Sequence, residues 1–103
     1  MAMTIALIGY GEVGRILAED LRARGESVVA FDLKLDGDAG AAMREHASTQ
    51  GIALATSHAD AVRGADLVIS AVTASQAVPV ALACAAGLKK GAFFLDFNSA
   101  SPG

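Results

Sequence analysis

Short unbroken apolar runs along the chain are separated by stretches in which apolar positions recur every three or four residues. Met3 to Ile8 is such a run; it stops at Gly9 and predicts a first strand. Glu12 to Arg24 carries Val13, Ile16, Leu17 and Leu21 at helical spacing, with Glu12, Arg15, Glu19 and Arg22 on other faces. Gly25 then closes the helix as a C′ residue. Ser27 to Phe31 predicts strand 2, ending at Asp32; Leu33 to Gly40 is read as a loop, and Ala41 to Gln50 as the second helix. Ile52 to Ala55 is a short strand 3. Ser57 and Asp60 are spaced as a capping box before a short helix, Ala59 to Arg63. Leu67 to Val72 is strand 4, Ser75 to Ala86 a helix that tolerates Pro79 only near its first turn, and Phe93 to Asp96 strand 5.

Strands and helices therefore alternate. Strands without polar alternation are buried on both faces, as in a parallel sheet flanked by helices. Right-handed crossovers reduce the topology to an α/β fold with a doubly wound parallel sheet of the Rossmann type, strand order 3-2-1-4-5, helices on both faces. The 103 residues suffice for one domain, 1–103, and not for two.

Composition narrows the classes. Apolar residues make up 53%, charged residues 18%, and mean hydropathy is +0.47, which excludes disorder. A net charge of −3 and a pI near 5.1 give no electrostatic reason for binding nucleic acid or an anionic membrane. The apolar run Ala77 to Leu88 is shorter than the roughly 20 residues of a membrane span. The N-terminus lacks the basic stretch of a secretory signal. One cysteine, Cys84, makes no internal disulfide, and a cytoplasmic location is expected. The 23 alanines and 11 glycines let helices sit close to a sheet and let backbone approach a ligand.

Gly9-Tyr10-Gly11-Glu12-Val13-Gly14 is G-x-G-x-x-G between an apolar strand and an amphipathic helix, the context a dinucleotide fingerprint requires. Gly9 makes the turn, Gly11 admits a diphosphate to its backbone, and Gly14 allows close helix packing; free N–H groups at the helix start favour the anion. Tyr10 would flank the cofactor through its backbone, and Glu12 would stand in solvent at the mouth. Asp32 lies 18 residues beyond Gly14, close to the spacing of about 20 for the carboxylate that takes the adenosine ribose. It favours NAD; Lys34, two residues on, leaves NADP open. At the other strand ends, Val72, Thr73 and Ala74 should line the path to the nicotinamide, with Asn98 and Ser99 farther along the rim.

Those segments, with Ala65 to Val72 and the closing Asp96-Phe97-Asn98-Ser99-Ala100-Ser101-Pro102, resemble the N-terminal cofactor domain of the β-hydroxyacid dehydrogenases, including the 6-phosphogluconate dehydrogenase-like branch. The resemblance implies an oxidoreductase acting on a small hydroxyacid. It places Thr73 near the nicotinamide-side ribose and Ser99 at the nicotinamide and substrate. It also implies a catalytic lysine from an all-helical second domain, to which nothing in this chain corresponds. Lys89 and Lys90 precede strand 5, at the far edge from the cofactor. An isolated domain that binds dinucleotide without turnover is expected. Ile8 to Arg15 with Asp32 is similar also to nucleotide-sensing regulatory domains of potassium transport, a non-enzymatic alternative; Ala55 to Asp60 and the Asp-x-Asn-Ser-x-Ser-Pro ending depart from that family.

Other polar residues read as structural. His46 and His58 lack metal-ligand company, Cys84 is a core residue, and Arg44 and Glu45 are surface charges. Ser70 is expected to bond backbone from within strand 4, and Asp96 to orient the last loop. The high hydropathy predicts uncovered apolar surface and self-association.

Overall fold

The computed structural model describes residues 3–72, 74–85 and 87–96. Five strands, β1 (Thr4–Ile8), β2 (Ser27–Phe31), β3 (Ala53–Leu54), β4 (Leu67–Ser70) and β5 (Phe93–Asp96), form one parallel sheet ordered β3-β2-β1-β4-β5, the expected Rossmann-type topology. β1 lies at the centre, with Ile5 opposite Val28 on one side and Leu67 on the other. Its four residues Ile5–Ile8 are buried because helices cover both faces. The helices are α1 (Glu12–Ala23), α2 (Gly40–Gln50), α3 (His58–Val62) and α4 (Ala74–Ala85). α1 and α2 pack together against β1, β2 and β3, and α3 and α4 pack on the opposite side. The reversal of winding between β1 and β4 opens a crevice at the carboxyl ends of the strands.

Several local expectations are corrected. Val13 and Ile16, expected on the inner face of α1, are 56% and 61% exposed. The face that meets the sheet carries Gly14 and Ala18, with Leu17 and Leu21 packed beside it. The helix starts so close to the sheet that only residues without bulk fit there. A Cβ on Gly14 would collide with the Gly9 carbonyl oxygen. Leu33 to Gly40 is not wholly irregular: Leu33–Asp36 forms a 3-10 turn that buries Leu35, with Asp32 as its cap. The Ser57 hydroxyl accepts the Asp60 N–H at 3.0 Å, as a cap should, but Asp60 reaches back to the Thr56 N–H at 3.1 Å, so the box closes one residue early. Pro79 lies in the second turn of α4, where its missing N–H removes one helix bond.

Ser70 is 1% exposed, and among the described residues its Oγ has no hydrogen-bond partner. The expected backbone bond fails for a geometric reason. A strand side chain stands perpendicular to the sheet, whereas the ladder carbonyls lie in its plane. β5 also departs from two-sided burial. It is the edge strand, and Phe93 is 74% exposed, with Phe94 and Leu95 exposed beside it.

Candidate functional site

A cleft of about 450 Å³ opens at the carboxyl ends of β1, β2 and β4. Its walls are the glycine loop at Gly9 and Gly11, the β2 end from Phe31 to Lys34, His58 at the start of α3, and Ala71-Val72 after β4. Its size falls in the range of ligand pockets, about 300–1,000 Å³.

The glycine loop is shaped by its neighbours. The Gly9 N–H bonds the Phe31 carbonyl at 2.8 Å, and the Ala71 N–H bonds the Ile8 carbonyl at 2.7 Å, so the loop is pinned from both adjacent strands. Gly9 has φ +96, and a Cβ there would lie 2.6 Å from the Ala71 oxygen. The crowding at Gly9 and Gly14 contrasts with Gly11, where a Cβ would meet nothing within 4 Å and would stand in the space the cleft offers a ligand. No side chain caps α1, and its first internal bond runs from the Arg15 N–H to the Gly11 carbonyl. The N–H groups of Glu12, Val13 and Gly14 therefore have no partner within the helix, as an anion site at a helix start requires. The loop and helix start fit a diphosphate.

Asp32 stands half-buried on the cleft wall. One carboxylate oxygen accepts the Tyr10 N–H at 2.7 Å, and the other accepts the Lys34 N–H at 2.8 Å. Each oxygen keeps lone-pair capacity for a hydroxyl donor. Lys34 lines the same wall.

The expected site residues thus divide. Gly9, Gly11, Asp32 and Val72 line the cleft. Gly14 lies beneath the loop, and Glu12 and Val13 point to solvent beside it. Tyr10 meets the cleft wall through its backbone. Its N–H is taken by Asp32, and its side chain turns inward to 0% exposure. Ala74 begins α4, with its side chain outside the described part; Thr73, Asn98 and Ser99 lie outside the described residues. Lys89 bonds Asp66 at 2.6 Å, where the strands begin, so it is remote from the cleft as expected. Cys84 is buried, and burial pushes its thiol up to about 11, consistent with a core residue.

Sequence reasoning missed His58. Its ring packs edge-on against Phe31 with centroids 4.8 Å apart, and it lines the cleft. Burial lowers its pKa, and the Asp32 carboxylate partly opposes that. The signal lay in its position just after β3, because residues after every parallel strand reach the same rim. Among the described residues no cluster of His, Cys, Asp or Glu could hold a metal, and no helix is long and apolar enough to cross a membrane.

Comparison with known proteins agrees with this geometry. The family model for the NAD binding domain of 6-phosphogluconate dehydrogenase matches residues 4–103. No curated protein matches the chain. A conserved hypothetical protein from Sinorhizobium meliloti superposes with a TM-score of 0.87 at 35% identity, over 96% of this chain and 33% of that one. The 3-hydroxyisobutyrate dehydrogenase of Mycobacterium tuberculosis, solved with L-serine, gives 0.80 at 27% identity, over 93% and 31%. An imine reductase variant from Myxococcus stipitatus in complex with NAD+ shares the fold, with 0.79 at 23% identity over 99% and 34%. The chain spans about a third of the length of these proteins. A sheet wound 3-2-1-4-5, an open glycine loop and Asp32 at its side accompany a family match over nearly every residue, and the chain belongs to the family of the NAD-binding domain of 6-phosphogluconate dehydrogenase.

Proposed function

We propose that this chain is the cofactor-binding part of an NAD(P)-dependent oxidoreductase acting on a small hydroxyacid, and that it binds dinucleotide without completing turnover alone. The observation that carries this assignment is the Asp32 carboxylate on the cleft wall, bonded to the glycine loop at 2.7 Å with lone pairs to spare. The N–H groups between Gly11 and Gly14 take the diphosphate, and Asp32 takes the adenosine ribose. Val72, Thr73 and Ala74 line the path to the nicotinamide, with Thr73 near its ribose; Ser99 serves the nicotinamide and substrate, and Asn98 beside it the cofactor. Bound nicotinamide supplies the hydride chemistry at its C4. This chain's part is to orient the ring, hold the diphosphate charge and shape the cleft; proton transfer is assigned to a lysine of a helical domain outside the chain. The hydroxyacid class is supported by the mycobacterial 3-hydroxyisobutyrate dehydrogenase among the similar structures. The family match and the similar structures named above give no support to a role in potassium transport. The acidic composition and lone cysteine fit a cytoplasmic setting, and the exposed apolar β5 edge fits self-association.

Calorimetric titration with NAD+ and NADP+ tests the assignment, followed by an assay with small 3-hydroxyacids. NAD+ should bind more tightly, because a carboxylate at Asp32 repels a 2′-phosphate. NADP+ preference would overturn the role of Asp32, and oxidation above the buffer rate would overturn the incompleteness.

A further inference from the structure

Tyr10 occupies the first variable position of the glycine loop, and among the described residues it is the largest fully buried side chain. Its peptide and its side chain face opposite ways. The N–H meets Asp32 at the cleft, whereas the phenol runs inward to α2. There the hydroxyl pairs with Nδ1 of His46, 36 residues away, and the rings meet edge-on with centroids 5.3 Å apart. The other imidazole nitrogen, Nε2, lies 2.7 Å from an Oε2 of Glu19 on α1. One tautomer satisfies every group. The phenol donates to Nδ1, and Nε2–H donates to the carboxylate. The chain Tyr10–His46–Glu19 thus ties the glycine loop to both helices on that side of the sheet.

Resting on the dinucleotide-binding assignment, we propose that His46 is a positioning residue for the diphosphate. It acts through the Tyr10 phenol, which fixes the orientation of the loop peptides that face the anion. Two anchors then hold the Tyr10 residue, Asp32 on its backbone and His46 on its side chain, and a peptide held at both ends presents its neighbours' N–H groups without reorganisation on binding. A structural role alone would stabilise the fold without distinguishing between parts of the ligand. A positioning role must act on the diphosphate and leave the adenosine end alone.

The test compares ADP with adenosine, titrated by calorimetry or NMR against the wild-type chain and three variants. His46→Ala should weaken ADP about tenfold, the scale of one lost buried hydrogen bond, with adenosine affinity unchanged. Tyr10→Phe should do the same. His46→Asn places an amide oxygen close to where Nδ1 stood and should restore most of the ADP affinity. In the wild-type chain, the His46 Nδ1 resonance should shift on adding ADP and stay put on adding adenosine, a readout that needs no variant to fold. Equal losses for ADP and adenosine, or no loss for either, would overturn the proposal. So would an unmoved resonance on saturation with ADP. Failure of the wild-type chain to bind ADP or NAD+ at all would overturn the cofactor assignment together with it, whereas normal wild-type binding with an indifferent His46→Ala would overturn this proposal alone.

Discussion

The Asp32 carboxylate accepts the backbone N–H of Tyr10 across 22 residues, so the end of β2 and the glycine loop are one hydrogen-bonded unit before any ligand arrives. Asp32→Ala should therefore loosen the loop as well as remove the acceptor for the ribose. Hydrogen bonds to a charged group are worth about 1.5–3 kcal/mol each, which sets an expected loss of about 10–100-fold in NAD+ affinity by calorimetry. Asp32→Asn should fall nearer Ala than wild type. Both carboxylate oxygens accept N–H groups, from Tyr10 and Lys34, and an amide would turn its NH2 against one of these donors. Unchanged affinity in Asp32→Ala would refute the assignment.

Two glycines three residues apart should respond differently to the same methyl group. In a helix, Gly→Ala ordinarily stabilises by up to about 1 kcal/mol. At Gly14 the added carbon would strike the Gly9 carbonyl, so Gly14→Ala should lower the urea midpoint or prevent folding. Gly11 precedes the first turn of α1 as its cap, with open space ahead; Gly11→Ala should fold with a modest loss, because alanine is a poorer cap, and bind NAD+ more weakly, because the methyl enters the diphosphate space. A stable Gly14→Ala, or undiminished binding by Gly11→Ala, would contradict the loop geometry.

What could be read from the sequence was whatever depends on short-range pattern. The apolar runs and the glycine stops located every strand, and handedness then left one order for the sheet. The cleft residues Gly9, Gly11, Asp32 and Val72 followed from their place after strands. Periodicity failed on α1, because it weighs side chains by hydrophobicity, whereas the fit against the sheet at Gly14 and Ala18 rewards smallness. It gave no warning that Phe93 would stand exposed, because an edge strand and an inner strand share the same apolar pattern. Nor could it pair Tyr10 with His46 and Glu19. Those contacts span 36 and 27 residues and depend on how α2 settles beside α1.

Ser70 offers a test of burial without compensation. Its hydroxyl lies in the core with no partner among the described residues, and an unmet buried polar group costs about 1–3 kcal/mol. Ser70→Ala should therefore leave stability unchanged or raise it, despite the small loss of packing volume. Urea denaturation with an unchanged slope is the measurement. A clear drop in midpoint would mean that the hydroxyl has a partner.

Asp66 connects the sheet's amino-terminal edge to the loop before β5. Its carboxylate holds Lys89 at 2.6 Å and accepts the Thr4 N–H at 3.0 Å; these bonds, Lys89 first, hold its pKa below the ordinary 3.8. A depressed carboxylate pKa adds stability that is present above the unfolded value and lost as pH falls through the folded one. Lys89→Met should thus be less stable than wild type at neutral pH. The gap should close on acidification below the ordinary carboxylate range and narrow with added salt, because both groups are partly exposed. Urea midpoints across that pH span, with Lys90→Met as control, decide it. A gap independent of pH and salt would show that the lysine acts through packing.

Tyr10 is the chain's single tyrosine, and there is no tryptophan, so alkaline absorbance reports on the glycine loop alone. Burial pushes the phenol from 10.0 up to about 12; the Arg15 charge works against the rise and the Glu19 charge adds to it. Native protein should show no tyrosinate absorbance until the pH approaches 12, whereas protein in urea should titrate near 10. The sign for stability follows. The unfolded chain releases the phenol proton first, so the phenol's contribution to stability is intact below pH 10 and is lost as pH rises from 10 to 12. Tyr10→Phe removes this ionisation but keeps the buried Cys84 thiol, so across that window the wild-type urea midpoint should fall relative to that of Tyr10→Phe. If the native phenol titrated near 10, its hydroxyl would be in water, and the link from the glycine loop through His46 to α1 would not exist.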